Sequence, residues 1–165
     1  MRYYWKKAKG LRRKKKCPKM RKKRQKSLMG HKKDAWREFS RYIRLRDCFD
    51  NTEHAFCFTC RKPYHYKDMQ AGHYIHDLNS TYFNPMNVHA QCVRCNYFLN
   101  GNGKVYRKHM VDTYGRKAVD KLERSAKAGK KFTKGELIRL KKRYKRLIPK
   151  LKDRYYGRTT QIGFD

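Results

Sequence analysis

Acidic residues are scarce in this sequence. Its 165 residues include 13 Asp and Glu against 46 Lys and Arg, a formal net charge of +33, and no acidic residue precedes Asp34. Like charges at this density oppose compaction unless a polyanion, a metal ion or a solvated tail offsets them. The segment before Asp34 therefore cannot fold on its own. For the chain as a whole, the charge favours a nucleic acid as partner.

Long apolar runs are also lacking. No stretch reaches the roughly 18 apolar residues of a membrane-spanning helix, and the basic stretches lack the apolar face of an interfacial helix. Tyr3, Tyr4 and Trp5 are followed at once by lysines, so the N-terminus contains no apolar secretion signal. These features predict a cytoplasmic protein with no membrane partner.

The remaining composition suits one folded domain with tails. Hydrophobic residues make up 38% of the chain, which is enough for one compact core. We expect a disordered basic arm over residues 1–33, a core over 34–128, and a basic C-terminal helix and tail over 129–165. The arm is either a solvated tail or a segment that orders on a phosphate backbone.

Helices are predicted at both ends of the folded part. The first begins after Asp34, an acceptable N-cap. The last begins at a capping box formed by Thr133 and Glu136, and Pro149 should kink or end it. Both helices have an apolar face at helical spacing. These faces contain Trp36, Phe39 and Ile43 in the first helix, and Leu137, Leu140, Tyr144, Leu147 and Leu151 in the last.

Short strands and further helices are predicted between these two. Strand-like patterns lie within 55–75 and at 88–91, and a helix is predicted from about Val93, interrupted by Gly101 and Gly103. The order strand, loop, strand, helix indicates an α+β fold. Two more helices are predicted over 104–114 and 116–128, closed by Gly115 and Gly129.

Four of the six cysteines have the spacing of a metal site. Cys57-x2-Cys60 and Cys92-x2-Cys95 can supply four thiolate ligands to a tetrahedrally coordinated Zn²⁺ ion. Because such a site has no open coordination position, this zinc would be structural. The other two, Cys17 and Cys48, have no CxxC partner, and we expect a tail thiol and a small buried residue.

The long segment between the cysteine pairs is rich in polar residues that suit phosphodiester hydrolysis. That reaction needs a base to deprotonate water, a divalent ion beside the phosphate, and groups that align both. A histidine at a strand end, an asparagine that fixes its loop and a polar residue opening the next helix would fill these roles. The candidates are His73, Asn87 and Asn96. Without the cysteine frame, Asn87 would be interpreted as a turn former beside Pro85.

At these residues the sequence resembles a known family. The CxxC pairs, the strand ending in His and the Asn directly after the second pair resemble HNH endonucleases of the ββα-metal type. More closely, the chain resembles the NinG (Rap) recombination proteins of lambdoid phages over about 34–152. The segments that carry this likeness are 39-FSRYIRLRD-47, 70-QAGHY-74, 87-NVHAQCVRCN-96 and 106-YRKHMVDTYG-115.

The resemblance implies a zinc-stabilised ββα-metal core, flanked by helices, in the host cytoplasm of a phage. It implies an HNH-type, divalent-metal-dependent endonuclease that cuts branched recombination intermediates such as Holliday junctions. A homodimer could cut both strands of such a junction. It assigns His73 as general base, Asn87 as the residue that orients the loop of the base, and Asn96 as a residue beside a catalytic Mg²⁺ or Mn²⁺. It also assigns the four paired cysteines to structural zinc.

One position departs from the wider HNH pattern. The residue before the base is often an aspartate that binds the metal ion, and here it is Gly72. The second ligand of the catalytic ion is therefore open. The candidates are His76, Asp77, His89 and Asn100, of which Asn100 would share a helix face with Asn96, and His89 would project from the second strand.

Basic residues on the predicted helices are candidates for phosphate contact, although ordinary solvation also explains an exposed basic face. The candidates for DNA binding are Arg94, Arg107, Lys108, Arg139, Lys142, Arg143 and Arg146. Two other interpretations remain open at the level of sequence. One is a non-catalytic, zinc-stabilised protein that binds DNA or RNA, and the other is a ribosome-associated protein.

Overall fold

The computed structural model describes residues 25–49, 52–76 and 78–156. Most of the predicted arm, the end of the predicted tail and Asp77 lie outside these residues. The described part is an α+β fold of helices and two small sheets, and none of its helices is long and apolar enough to cross a membrane. The elements are α1 (Leu28–Arg46), β1 (His54–Phe56), β2 (Pro63–His65), β3 (Met69–His73), α2 (Asn79–Tyr82), β4 (Val88–Cys92), α3 (Gly103–Tyr114), α4 (Arg116–Ala126) and α5 (Lys134–Tyr156).

Helix α1 begins earlier than predicted. Ser27, not Asp34, is its N-cap, and the Ser27 hydroxyl accepts a hydrogen bond from the Gly30 N–H at 3.1 Å. Asp34 lies inside the helix, where its carboxylate pairs with Lys26 and Lys141 at 2.7 and 2.8 Å. The helix buries the apolar face that the sequence predicts. The buried residues are Ala35, Phe39, Ile43 and Leu45.

Helix α5 packs along α1 and belongs to the core. Its capping box is formed as predicted, because the Thr133 N–H donates to Glu136 Oε2 at 2.8 Å and the Glu136 N–H donates to Thr133 Oγ1 at 3.2 Å. Pro149 does not end the helix, which continues to Tyr156. Buried residues on both sides of the proline hold the helix in place. The buried residues of α5 are Leu137, Tyr144, Ile148 and Leu151.

The two sheets are antiparallel pairs, β1 with β2 and β3 with β4. Strand β4 is buried along its whole length, and the β3–β4 register runs from Met69↔Cys92 to His73↔Val88. Since side chains alternate along a strand, this ribbon has two faces. Ala71 and Val88 pack with the core beneath α1. The opposite face carries Gln70, Gly72, His89 and Gln91.

The predicted helix after β4 is replaced by two tight turns. A single π-helical turn covers Arg94–Phe98, and a 3₁₀ turn covers Asn100–Asn102, in which all three residues have positive φ, between 46° and 79°. These left-handed residues prevent a continuous helix. Helix α3 then begins at Gly103, and Gly115 separates it from α4 as predicted.

Candidate metal centre and strand-end site

The four paired cysteines come together in space. Their sulfur atoms all lie within 4.8 Å of one another, and the Cys60 and Cys92 Sγ atoms are 3.9 Å apart. Tetrahedral zinc with Zn–S bonds of about 2.3 Å separates its sulfurs by about 3.8 Å. The cluster could therefore hold a structural zinc ion, as predicted. Cys48 is buried outside this cluster, and its thiol donates to the Arg44 carbonyl at 3.3 Å.

Backbone contacts hold the cluster against β4. The Cys92 N–H donates to the Cys57 sulfur at 3.3 Å, and the Phe58 N–H donates to the Ala90 carbonyl at 2.8 Å. Burial opposes ionisation of Cys57, but hydrogen bonds from the Cys60 backbone and the Thr59 hydroxyl stabilise the thiolate and lower the pKa of Cys57 to about 6. Cys57 thus favours the thiolate form that binds metal, whereas burial raises the pKa values of Cys60 and Cys95.

His73, the predicted base, is the last residue of β3. Its half-buried ring stacks on Trp36, with ring centroids 4.8 Å apart, and packs against Tyr82. Its Nε2 atom lies 3.0 Å from the Tyr82 carbonyl oxygen. Because a carbonyl oxygen only accepts hydrogen bonds, Nε2 carries the proton of the neutral ring, and Nδ1 carries the lone pair. The contact selects a tautomer with one basic nitrogen.

Asn87 clamps the chain that follows His73. The asparagine is fully buried, and its Oδ1 accepts from the Ile75 N–H at 2.8 Å. Its Nδ2 donates to the carbonyls of Ile75 and Thr81 at 3.0 and 3.2 Å. The Asn87 carbonyl also accepts from the Tyr74 N–H at 2.8 Å. One side chain therefore fixes the turn after the strand end.

Asn96 lies on the other face of the ribbon from the His73 ring. It belongs to the π-helical turn after Cys95, and its Nδ2 donates to Gln70 Oε1 at 2.6 Å. This bond fixes the amide, and its Oδ1 then points at the backbone of Gly72. A Cβ atom built on Gly72 would lie 2.7 Å from that oxygen. His73 and Asn96 thus meet the strand end from opposite sides of the ribbon.

Gln91 completes this oxygen cluster, and we did not predict it. A Cβ atom on Gly72 would lie 1.9 Å from Gln91 Oε1, so the glutamine oxygen occupies the space in front of the glycine. The same oxygen is buried and has no hydrogen-bond partner among the described residues. The sequence does show an amide side chain within a predicted strand. The residue that this amide faces, however, depends on how the strand pairs with β3. Gln70, Trp36 and Tyr82 were missed for the same reason.

His89 is not placed to bind the catalytic ion, contrary to our expectation. It is buried beneath Phe58, and its two ring nitrogens lie 3.0 and 2.7 Å from the hydroxyls of Tyr106 and Tyr114. Burial lowers the pKa of His89 to about 3, with smaller contributions from the charges of Arg46 and Arg61. His89 is a neutral residue that ties β4 to α3.

The structure does not place the other proposed ligands of that ion around a common point with Asn96. Asn100 was expected on one helix face with Asn96, but it is exposed with a φ of 46°, so no continuous helix joins the two. His76 is exposed and lies against Gly101, where a Cβ atom would be 2.9 Å from its Nε2. Asp77 lies outside the described residues.

The predicted DNA-binding residues are exposed with one exception. Arg107 is bound within the protein, because its guanidinium donates to Glu123 at 3.0 Å and to Asp120 at 3.1 Å. These ion pairs brace α3 against α4, so Arg107 is not an open phosphate contact. The exposed residues are Arg94, Lys108, Arg139, Lys142, Arg143 and Arg146.

Fold and site define a small, strongly basic α+β protein whose core surrounds a four-cysteine site able to hold zinc. The chain belongs to the family described as Bacteriophage Lambda NinG protein, whose model matches residues 3–154. "Protein ninG" of Escherichia phage lambda is 44% identical over 41 residues, a segment that covers 25% of this chain and 20% of the lambda protein. No solved structure matches the chain. The family part of the predicted resemblance is confirmed.

Proposed function

We propose that this protein is a metal-dependent endonuclease of the HNH type that acts on branched DNA during phage recombination. Membership of the NinG family and the net charge of +33 support a role on nucleic acid. The observation that carries the proposal of catalysis is the fixed tautomer of His73. Its Nε2 is bound to the Tyr82 carbonyl within a turn that Asn87 clamps.

His73 would act as the general base. Nδ1 takes a proton from a water molecule, whose oxygen forms a bond to the phosphorus as the bond to the 3′ oxygen breaks. The leaving 3′ oxygen takes a proton from solvent, and a 5′ phosphate remains. The Tyr82 carbonyl stabilises the imidazolium that results, because Nε2–H donates to it more strongly when the ring is charged.

The residues on the other face of the strand end suit a divalent ion, so the cleaved phosphate would have to lie across the end of β3 to reach both this ion and His73. Asn96 Oδ1 and Gln91 Oε1 are neutral oxygen donors directed at the same point before Gly72, and hard ions such as Mg²⁺ and Mn²⁺ prefer oxygen ligands. When bound, such an ion would offset negative charge on the phosphate and the leaving oxygen. Gln70 would hold Asn96 in the required orientation through its 2.6 Å hydrogen bond.

Exposed aromatic residues beside Asn96 favour branched over regular duplex DNA. Tyr97 and Phe98 are each 73% exposed, although the neighbouring Cys95 is buried in the metal cluster. Aromatic rings stack on unpaired bases, which occur at junctions and single-stranded ends. The exposed basic residues would bind the phosphate backbone without regard to sequence.

Cleavage of labelled DNA tests the proposal. Duplex, single-stranded and four-way-junction DNA are incubated with zinc-loaded protein and Mg²⁺, Mn²⁺ or EDTA. We expect nicking of the junction only with a divalent ion, and we expect His73→Ala to lose at least about 100-fold in rate while junction binding is retained. His31→Ala, which removes another partly buried histidine, is the matched control and should cleave normally.

The alternative function is a zinc-stabilised binding protein in which His73 only packs against Trp36. Junction binding without metal-dependent cleavage by the wild type would favour it. Equal cleavage by wild type and His73→Ala would remove His73 from the mechanism.

A further inference from the structure

We propose that Gln91 is the second protein ligand of the divalent ion, together with Asn96, and that it supplies the oxygen that Gly72 lacks. The inference rests on the proposed function for the purpose of the ion, but the binding site itself is argued from the described residues. Its residues lie on one face of the β3–β4 ribbon and on the turn that follows β4.

The orientation of the Gln91 amide is fixed by its nitrogen. Nε2 donates to the Gly101 carbonyl at 3.0 Å and to the Thr59 hydroxyl at 3.1 Å. A carbonyl oxygen cannot donate, so exchanging the two amide atoms would place two acceptors against each other at Gly101. Oε1 must therefore face Gly72.

That oxygen is an unusual atom for a protein interior. Gln91 is fully buried, and within the part of the chain that the structure describes, Oε1 is the one buried side-chain polar atom without a hydrogen-bond partner. Leaving such an acceptor unpaired is unfavourable, because the atom loses its hydrogen bonds to water on folding and gains none in return. A bound cation or a trapped water would offset this cost, so the atom indicates an occupant.

Gly72 makes room for this arrangement. A Cβ atom at this position would lie 1.9 Å from Gln91 Oε1 and 2.7 Å from Asn96 Oδ1, so both oxygens converge where any other residue would place its side chain. Backbone conformation does not require the glycine, because its φ is not in the left-handed region. The glycine is required for space, and the space is lined by two oxygen ligands.

The ligand chemistry selects the class of ion and the way it is loaded. Two amide oxygens suit Mg²⁺ or Mn²⁺ better than zinc, which prefers sulfur and nitrogen. Neither amide is charged, so the protein alone offsets none of the charge of the ion. Phosphate oxygens and waters would complete the shell, and cation affinity should rise when DNA is bound.

Binding of Mn²⁺ to the full-length, zinc-loaded protein tests the inference, with the paramagnetic resonance signal of free Mn²⁺ as the readout. The titration is done alone and with a junction whose phosphorothioate linkages resist cleavage. We expect one Mn²⁺ per chain, tighter binding with DNA, and at least a tenfold loss of affinity in Gln91→Ala. Ser80→Ala removes a partly buried hydroxyl outside the site, which donates to the Ala126 carbonyl, and should bind Mn²⁺ as the wild type does.

A double variant tests whether a loss of Mn²⁺ affinity in a single variant comes from the binding site or from misfolding. Gly72→Asp alone should lose Mn²⁺ affinity, because its Cβ would collide with Gln91 Oε1. Gly72→Asp combined with Gln91→Ala removes the closer collision, at 1.9 Å, and leaves the 2.7 Å approach to Asn96 Oδ1, which a small shift of that terminal amide relieves. The double variant also brings in a carboxylate oxygen and should recover at least wild-type affinity. Zinc content and circular dichroism show that each variant is folded.

The outcomes separate this inference from the proposed function. Wild-type affinity in Gln91→Ala would overturn the role of Gln91, even if the protein cleaves DNA. Failure of the wild type to bind Mn²⁺, with or without DNA, would overturn the site and leave a trapped water as its occupant. Mn²⁺ binding that depends on Gln91, in a protein that cuts no DNA, would support the site and contradict the proposed nuclease.

Discussion

At the scale of single residues, the strand end is organised by buried amides. Asn87 and Gln91 are both fully buried. Asn87 binds backbone groups through both of its amide atoms, whereas Gln91 binds the Gly101 carbonyl through its nitrogen and leaves Oε1 without a partner among the described residues. Amide side chains can satisfy a donor and an acceptor at once, which lets one residue hold a turn in a single conformation. The two asparagines of 84-NPMN-87 differ in this respect, since Asn84 makes only a local bond to the Met86 N–H.

Asn87→Ala should therefore be more harmful than Asn84→Ala. The first variant removes three hydrogen bonds and leaves the Ile75 N–H without its partner, so we expect a loss of about 1–3 kcal/mol in unfolding free energy and at least tenfold in cleavage rate. Asn84→Ala should cost about 1 kcal/mol or less, as for a lost cap. Urea unfolding and junction cleavage measure both. Equal effects of the two variants would contradict the conclusion that the Asn87 side chain holds the turn after β3.

His89 should make stability depend on pH. Its pKa is lowered by burial to about 3 from 6.5, so below about pH 6.5 the unfolded chain binds a proton that the folded protein does not. This contribution to stability is full above pH 6.5 and is lost as the pH falls. Between pH 7.5 and 5.5 we expect a loss of about 1.4 kcal/mol from this residue.

Urea unfolding with saturating zinc at the two pH values measures this effect. His89→Gln removes the titrating group, so its stability should depend less on pH than that of the wild type. The same pH dependence in both proteins would show that His89 is not the cause.

At the scale of elements, α1 is joined to the site by a partly buried ion pair. Asp47 accepts from Arg46 at 2.7 Å and from the Ala90 N–H at 2.8 Å, which ties the end of α1 to β4. Arg46 also donates to the carbonyls of Pro85 and Val88, on both sides of Asn87. The ion pair thus holds in place the segment that contains Asn87.

Asp47→Asn should destabilise the protein by about 3 kcal/mol, because it removes the carboxylate charge that Arg46 Nε contacts at 2.7 Å in a partly buried position. Asp120→Asn removes a carboxylate from the more exposed pair with Arg107 and should cost less than about 1 kcal/mol. Thermal or urea unfolding of the two variants compares them. Similar losses would show that the α1 pair is no stronger than a surface pair.

Helix α5 presents its exposed basic residues on the side opposite the core. Replacing Arg139, Lys142, Arg143 and Arg146 with Gln should weaken duplex binding and make the slope of log affinity against log salt shallower by about 3 to 4, if each charge contacts one phosphate. Fluorescence anisotropy over a range of salt measures this slope. Replacing the four exposed basic residues Arg116, Lys117, Lys121 and Arg124 of α4 removes the same charge, and equal slopes would contradict a specific role for α5.

At the scale of the whole molecule, the cysteine cluster connects parts of the chain that are distant in sequence. One core cluster contains three of the four sulfurs together with Leu45 of α1 and Ile148 and Leu151 of α5. Zinc binding in small domains can contribute on the order of 10 kcal/mol to folding. For a chain with a net charge of +33, that contribution would offset much of the repulsion.

Removing zinc should therefore unfold the core. We expect Cys60→Ser to reduce zinc content and lower the thermal midpoint sharply, and a chelator to do the same to the wild type. Cys48→Ser, which changes a buried cysteine outside the cluster, should keep one zinc per chain. Zinc analysis and circular dichroism measure these outcomes, and an unchanged midpoint in Cys60→Ser would contradict a structural role for the metal.

The sequence by itself determined the features that depend on local spacing. Two CxxC pairs predicted the sulfur cluster, Thr133 and Glu136 predicted the start of α5, and Gly115 predicted the break between α3 and α4. Each of these features is recognised from short motifs whose chemistry is known, so it can be predicted without knowledge of the fold.

Only the tertiary structure decided which polar groups meet. The β3–β4 register places Gln91 before Gly72 and buries His89 under two tyrosines, although both belong to one short strand. Packing against α1 carries α5 through Pro149, and a single π-helical turn over Arg94–Phe98 replaces the helix that was predicted from Val93. These outcomes depend on contacts between distant segments, which periodicity and spacing do not specify.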